Sequence, residues 1–138
     1  MNGSAETYRP DAERLNQTTA RADALSERYF ALEGEALLRV MLEWQYKGRI
    51  ALVSSFGAEA AILLDMIARI DPATPVIFID SGKLFHHTLT YRDILVRRLG
   101  LTDVRTVEPV AFDIGGHDPD GELWRHNPNL CCYLRKVL

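Results

Sequence analysis

Ile50-Ala51-Leu52-Val53-Ser54-Ser55-Phe56-Gly57-Ala58-Glu59 is the stretch that decides the fold. An apolar run breaks off at a Ser-Ser-Phe-Gly turn, and an apolar-rich helix from about Ala58 to Ile70 comes next, stopping at Asp71-Pro72. The pattern then repeats. Val76-Ile77-Phe78-Ile79 ends at Asp80-Ser81-Gly82, a helix from about Thr88 to Leu99 closes on Gly100, and a third strand lies near Val104 to Val107. Strands that read as unbroken apolar runs, joined by helices, predict an α/β fold: a three-layer arrangement around a parallel sheet with right-handed crossovers. Ligands of such sheets bind outside the carboxyl ends of the strands, so the turns at 54–59 and 80–85 are the first places to look for function.

Upstream, residues 1–34 are polar and charge-mixed, and Ala22, Leu25, Tyr29 and Leu32 recur at helical spacing, which predicts a frayed tail and then a helix. Residues 35–138 form the expected α/β domain. It opens with a helix whose stripe is Leu37, Val40, Met41 and Trp44, with Lys47 in the last turn and Gly48 at the stop. Both stripes are expected to pack into a core. Residues 111–129, with Gly115-Gly116, Asp118-Pro119-Asp120-Gly121 and Asn127-Pro128-Asn129, read as a long surface loop before a basic final helix.

Composition narrows the function classes. The 138 residues are 47% hydrophobic and 25% charged with a formal net charge of −3, an ordinary globular balance that gives no global reason to bind nucleic acid or anionic lipid. No apolar run approaches the roughly 20 residues of a membrane span. The first ten residues have neither a basic start nor an apolar core, so a cytoplasmic location is expected.

Three segments carry candidate chemistry. Ser54-Ser55-Phe56-Gly57-Ala58-Glu59 lies between a strand and a helix, where free backbone N–H groups and the helix dipole favour an anion. It is neither a dinucleotide fingerprint nor a Walker loop: Gly82-Lys83 is followed by Leu84, and Ile77 stands where the earlier glycine would be. Asp80-Ser81-Gly82-Lys83-Leu84-Phe85 would form the other wall of a cleft if the first two strands are neighbours. The third segment holds the chain's two cysteines, Cys131 and Cys132. Neighbouring alpha carbons lie about 3.8 Å apart, too close for an unstrained disulfide. On a helix their side chains diverge by about 100°, which suits separate corners of an iron–sulfur cluster better than one metal ion; two half-buried structural cysteines are the plain alternative. Adjacent His86-His87 reads as surface histidine, and Trp124 as core packing.

Together these segments resemble the assimilatory adenylyl-sulfate and phosphoadenylyl-sulfate reductases. The carriers are S-S-F-G-A-E at 54–59, V-I-F-I-D-S-G-K-L-F at 76–85, T-L-x-Y-R-D at 88–93 and L-W-x-x-N-P-x-x-C-C-x-x-R-K-V at 123–137. The resemblance implies an adenine nucleotide alpha-hydrolase-like fold. By it, Ser54, Ser55, Phe56 and Gly57 belong to the phosphate-side loop, Ile79, Asp80, Ser81 and Gly82 line the adenosine end, and Arg135 follows the cysteine pair on the substrate side. Cys131 and Cys132 would be two of the four ligands of a 4Fe-4S cluster, and Lys136 the cation linking cluster and sulfate.

The implied activity is reduction of adenylyl sulfate, or phosphoadenylyl sulfate, to sulfite in sulfate assimilation toward cysteine. Thioredoxin or glutaredoxin would release the sulfite from a thiosulfonate formed on a cysteine. The tandem-cysteine form generally prefers adenylyl sulfate. In the family that nucleophilic cysteine and a further C-x-x-C pair would follow residue 138, so the chain is expected to be a C-terminally truncated portion, inactive alone. Ser81 replaces the family's usual Thr, and His86-His87 its usual Pro-Glu. The rivals are an adenylating ATP pyrophosphatase of the same fold, whose loop reads more like S-G-G-x-D-S, and a non-catalytic nucleotide-binding module. Self-association stays open.

Overall fold

The computed structural model describes residues 12–137. The expected tail lies largely outside them, as does Leu138. The chain divides into two compact units between Leu37 and Leu38. The first carries α1 (Ala12–Tyr29) and most of the first turn of α2 (Gly34–Val40).

In the second unit α2 runs on into a π-helical turn, Met41–Gln45. That turn corrects the expected stripe. A π turn closes with one extra residue and so spaces its side chains off the 3.6-residue stripe; inside it Leu42 is buried while Trp44 is 78% exposed. Gly48, at φ 67°, stands beyond the helix where the stop was expected.

The sheet follows the expected α/β pattern: β1 (Leu52–Val53), β2 (Val76–Ile79) and β3 (Val104–Val107), all parallel, in the order β1-β2-β3. Leu52 pairs with Val76, and Val76 with Val104. β1 is shorter than its apolar run because Pro75 precedes β2: Leu52 N–H donates to its carbonyl (2.9 Å), but proline has no N–H to continue the ladder toward Ile50. The crossovers are α3 (Ala60–Ile70) and α4 (His86–Leu99), which contact each other. Two right-handed crossovers stepping the same way place both helices on one face. α4 begins at His86, two residues before the expected start, and ends as expected on Gly100 at φ 69°.

Phe56, Leu64, Val76, Phe78, Leu95 and Leu101 form the buried cluster that joins α3, α4 and β2. Phe56 and Phe78 meet edge to face at 5.5 Å, and the Arg92 guanidinium lies 5.0 Å from the Phe78 ring. On the other face, at the carboxyl ends of the strands, Val53, Ile79 and Val107 remain exposed.

The expected loop at 111–129 is largely helical: α5 (Ala111–His117) and α6 (Leu123–His126) precede α7 (Pro128–Lys136). Its turn-forming residues serve as helix punctuation. Asn127 accepts from Leu130 N–H (3.1 Å) as an N-cap, and Pro128 occupies the first turn, where a missing N–H costs nothing. Gly115 and Gly116 lie inside α5 against their propensity; contact with α7 supplies the tertiary support.

Phe56 has a left-handed φ of 54°, rare for a bulky side chain, and burial of its ring offsets that strain. Phe56→Ala should cost about 3–5 kcal/mol, read as a lowered urea midpoint with unchanged slope.

Candidate functional site

Loop 54–59 leaves β1 and doubles back over its own first residue. Ser54 is buried, and its Oγ accepts from Phe56 N–H at 3.1 Å. This modifies the expectation for Phe56: its ring is in the core and its amide is spent within the loop, so neither faces a ligand. Ser55 and Gly57 are exposed. Among the described residues the N–H groups of Ser55, Gly57, Ala58 and Glu59 have no acceptor, and they precede α3. They are the free donors that an anion would use.

The loop after β2 is tied by its own side chain. Asp80 accepts from Gly82 N–H (2.9 Å), which closes the turn and places Gly82 at φ 69°. A Cβ at Gly82 would lie 3.3 Å from Arg135 Nη1, so both the backbone angle and the close approach call for glycine. Ser81 is buried beside it.

Helix α7 brings the remaining candidates. Cys131, Leu134 and Arg135 are its buried residues, whereas Cys132 and Lys136 are exposed. Arg135, expected on the substrate side, lines the cavities there but is held by protein acceptors. Its side chain is 7% exposed, Nη1 donates to the Ser81 carbonyl at 2.8 Å, and Nη2 donates to Asp118 Oδ2 at 2.6 Å. Nε is buried with no partner. Lys83 is also engaged, donating through Nζ to the Gly121 carbonyl at 2.6 Å. The turn at 118–121 is thus bound to the β2 loop by two cations, whereas Lys136 is exposed and has no hydrogen-bond or ion-pair partner among the described residues.

Two cavities join these elements. A cavity of about 470 Å³ is lined by both cysteines with Ser81, Lys83, Leu84, Trp124, Arg135 and Lys136. One of about 230 Å³ is lined by Val53, Ser54, Ser55, Ile79, Ser81, Leu84 and Lys136. Ser81, Leu84 and Lys136 belong to both walls, so the thiols lie on the same side as the turns after β1 and β2. A further cavity of about 460 Å³, between the ends of β2 and β3, is lined by Asp80, Gly82, Glu108 and Asp118 among others.

The sequence that builds this site has known relatives. Residues 49–138 match the family model described as phosphoadenosine phosphosulfate reductase domain. The chain belongs to that family. It is 42% identical over 118 residues to the adenosine 5'-phosphosulfate reductase of Mesorhizobium japonicum, covering 86% of this chain and 46% of that protein. It is 40% identical over 114 residues to the enzyme of the same name from Chelativorans sp., covering 82% and 46%. Adenosine 5'-phosphosulfate reductase 2 of Bacillus subtilis is 38% identical over 101 residues, covering 70% and 43%. The chain therefore spans less than half the length of these curated relatives.

For this member of the reductase family, a four-iron cluster does not fit the residues present as a complete set. Such a cluster takes about four thiolates, the chain has two cysteines, and the described residues contain no group of three or more His, Cys, Asp or Glu able to hold a metal. Cys131 and Cys132 do open on one cavity from adjacent helix positions, so they suit two corners of a larger group. Among the described residues no helix is long and apolar enough to cross a membrane.

From sequence alone neither Asp118 nor Leu84 stands out as a site residue, while Lys83 can face phosphate and Trp124 can stack on a ligand or close the cleft, each against a plainer role. Trp124 was expected in the core; it is 52% exposed on the thiol cavity, with the Arg125 guanidinium 5.2 Å from its ring. Lys83 and Leu84 lie inside the quoted β2 loop and were legible by position. Asp118 sits in a run of turn formers, where an acidic residue signals only solvent.

The hydrogen bond from Arg135 holds the Asp118 carboxyl below the usual carboxylate range, with the Leu123 amide adding to the effect. A folded-state pKa below the unfolded one contributes stability above the unfolded value, lost as pH falls through the folded value. The acid limb of a melting-temperature profile between pH 6 and pH 2 should therefore be flatter in Asp118→Asn than in the unaltered chain.

Proposed function

We propose that this chain is the nucleotide-binding portion of an enzyme that reduces adenylyl sulfate to sulfite and AMP in cysteine biosynthesis, and that it supplies two ligands of that enzyme's 4Fe-4S cluster. The observation that supports this most is the shared wall of Ser81, Leu84 and Lys136, which joins the anion-binding turn after β1 to the cavity holding both thiols.

In this reading the free amides of Ser55 and Gly57–Glu59 take the phosphate, and the ends of β2, Ile79 to Gly82, border the nucleoside. Lys136, one helical turn beyond Cys132, meets the sulfonate. A thiolate that attacks sulfur brings two anions together, and a nearby cation offsets their repulsion while AMP leaves. The attacking cysteine is neither Cys131 nor Cys132, which are assigned to the cluster. It belongs to the part of the enzyme this chain does not span, together with the other two cluster thiolates. Thioredoxin or glutaredoxin supplies the dithiol that releases sulfite and becomes a disulfide. The reaction belongs in the cytoplasm, where thiols stay reduced.

Calorimetric titration tests the reading. The chain should bind adenylyl sulfate more tightly than AMP, and Lys136→Ala should weaken adenylyl sulfate by about tenfold, or ~1.4 kcal/mol, while leaving AMP nearly unchanged. Phosphoadenylyl sulfate, titrated in parallel, decides the preference between the two sulfonucleotides. Equal loss for adenylyl sulfate and AMP would remove Lys136 from the sulfonate. Sustained sulfite release with reduced thioredoxin would show that the nucleophile is in this chain after all.

A further inference from the structure

We infer that Asp118 is the positioning residue of this site: by holding Arg135 it sets where α7 presents Cys131, Cys132 and Lys136 against the loop after β2. The Asp118 side chain is 2% exposed and uses both oxygens. Oδ1 accepts from Leu123 N–H at 2.9 Å and Oδ2 from Arg135 Nη2 at 2.6 Å. Through Arg135 Nη1 the same chain of bonds reaches the Ser81 carbonyl. One carboxylate thus ties the end of α5 and the start of α6 to α7, and α7 to the turn that closes both cavities. α5 and α6 both contact α7, so the bond acts across surfaces already packed together.

Helical spacing turns this tie into control of the thiols. Cys131 and Arg135 are four residues apart and share the buried face of α7; Cys132 and Lys136, also four apart, share the exposed one. Arg135 therefore anchors the turn immediately below Cys131. If its counter-charge is removed, a buried guanidinium is left with a single carbonyl acceptor. Arg135 lines both the thiol cavity and the cavity between β2 and β3, so it has open space to turn into. Once it turns, the bond to Ser81 breaks, α7 loosens from the loop and Cys131 loses its cover. Asp118 touches none of the proposed substrate contacts; it acts through Arg135.

The consequence for sulfonate reduction rests on the proposed function, but the geometry does not, and a test that needs no nucleotide separates the two. Each thiol is alkylated with iodoacetamide and followed by peptide mass spectrometry, while hydrogen exchange reports β2. In the unaltered chain Cys132 should react about tenfold or more faster than Cys131. Asp118→Asn, which keeps an acceptor for Leu123, should raise the Cys131 rate by about tenfold with β2 protection unchanged; Asp118→Glu, which keeps the charge, should restore most of the difference. Cys131 still protected in Asp118→Asn, or equally freed in Asp118→Glu, would overturn the assignment. Should Asp118→Asn also lose β2 protection, Asp118→Asn/Arg135→Met decides, since it leaves no unpaired buried charge. Cys131 freed with β2 intact supports the assignment, and Cys131 protected refutes it.

Discussion

The Arg135 guanidinium carries the geometry of the site. It is buried, and its two terminal nitrogens address acceptors far apart in sequence, the Ser81 carbonyl and the Asp118 carboxylate. A buried ion pair is a poor way to gain stability, because the desolvation of both charges offsets much of their attraction. Its contribution here is direction. A planar fork with fixed donor angles admits few arrangements of α7, the β2 loop and the 118–121 turn, whereas a lysine would offer one flexible point charge. Gly82 completes the arrangement, since any side chain there would crowd Nη1.

Below that fork, the sheet supplies rigidity through a residue that belongs to the loop and the core at once. Phe56 sits in the middle of the turn after β1, yet its ring is buried against Phe78 of the central strand. The left-handed backbone at Phe56 lets the chain send this ring inward while the flanking amides stay outward. Strained backbone of this kind persists only where its surroundings over-determine it. The ring's burial and the Ser54 hydroxyl, which takes the Phe56 amide, are the two constraints visible here. The set of free amides around it is therefore a by-product of core packing, and a smaller residue at 56 would blur both.

How much of this was legible depends on where the information lies. β2, α3 and the Gly100 stop could be read locally, because a buried parallel strand is a continuous apolar run and helix ends carry their own signals; β3, Val-Arg-Thr-Val and largely exposed, was legible from its β-branched residues and from its place after the second helix. The loop residues of the candidate site were legible for the same reason, being fixed by position at strand ends. Local reading failed where a tertiary contact decides. Trp44 fell on the expected stripe until a π turn moved it outward. Residues 111–129 looked like turns because Asn127, Pro128 and Gly121 are turn formers, and the same residues also cap and separate short helices. Arg135 looked like a free cation because nothing near it in sequence reveals Asp118, 17 positions away, as its partner.

The division between Arg135 and Lys136 shows how two adjacent cations acquire different work. They differ by one helical position, hence by about 100° of azimuth; both reach the cavity walls, but that rotation buries Arg135 beneath α7 and leaves Lys136 exposed. The exposed apolar ends of the strands then matter. Val53 and Ile79 line the smaller cavity with Lys136, and Ile79 and Val107 line another of about 120 Å³ with it. Apolar walls lower the local dielectric, so a charge set among them acts on an anion more strongly than the same charge in open water. Arg135, neutralised by Asp118, adds little to that field. The ion pair beneath α7 thus does two things with one contact: it orients the helix, and it leaves Lys136 and Lys83 as the lysines whose charge reaches the thiol cavity unpaired with that carboxylate.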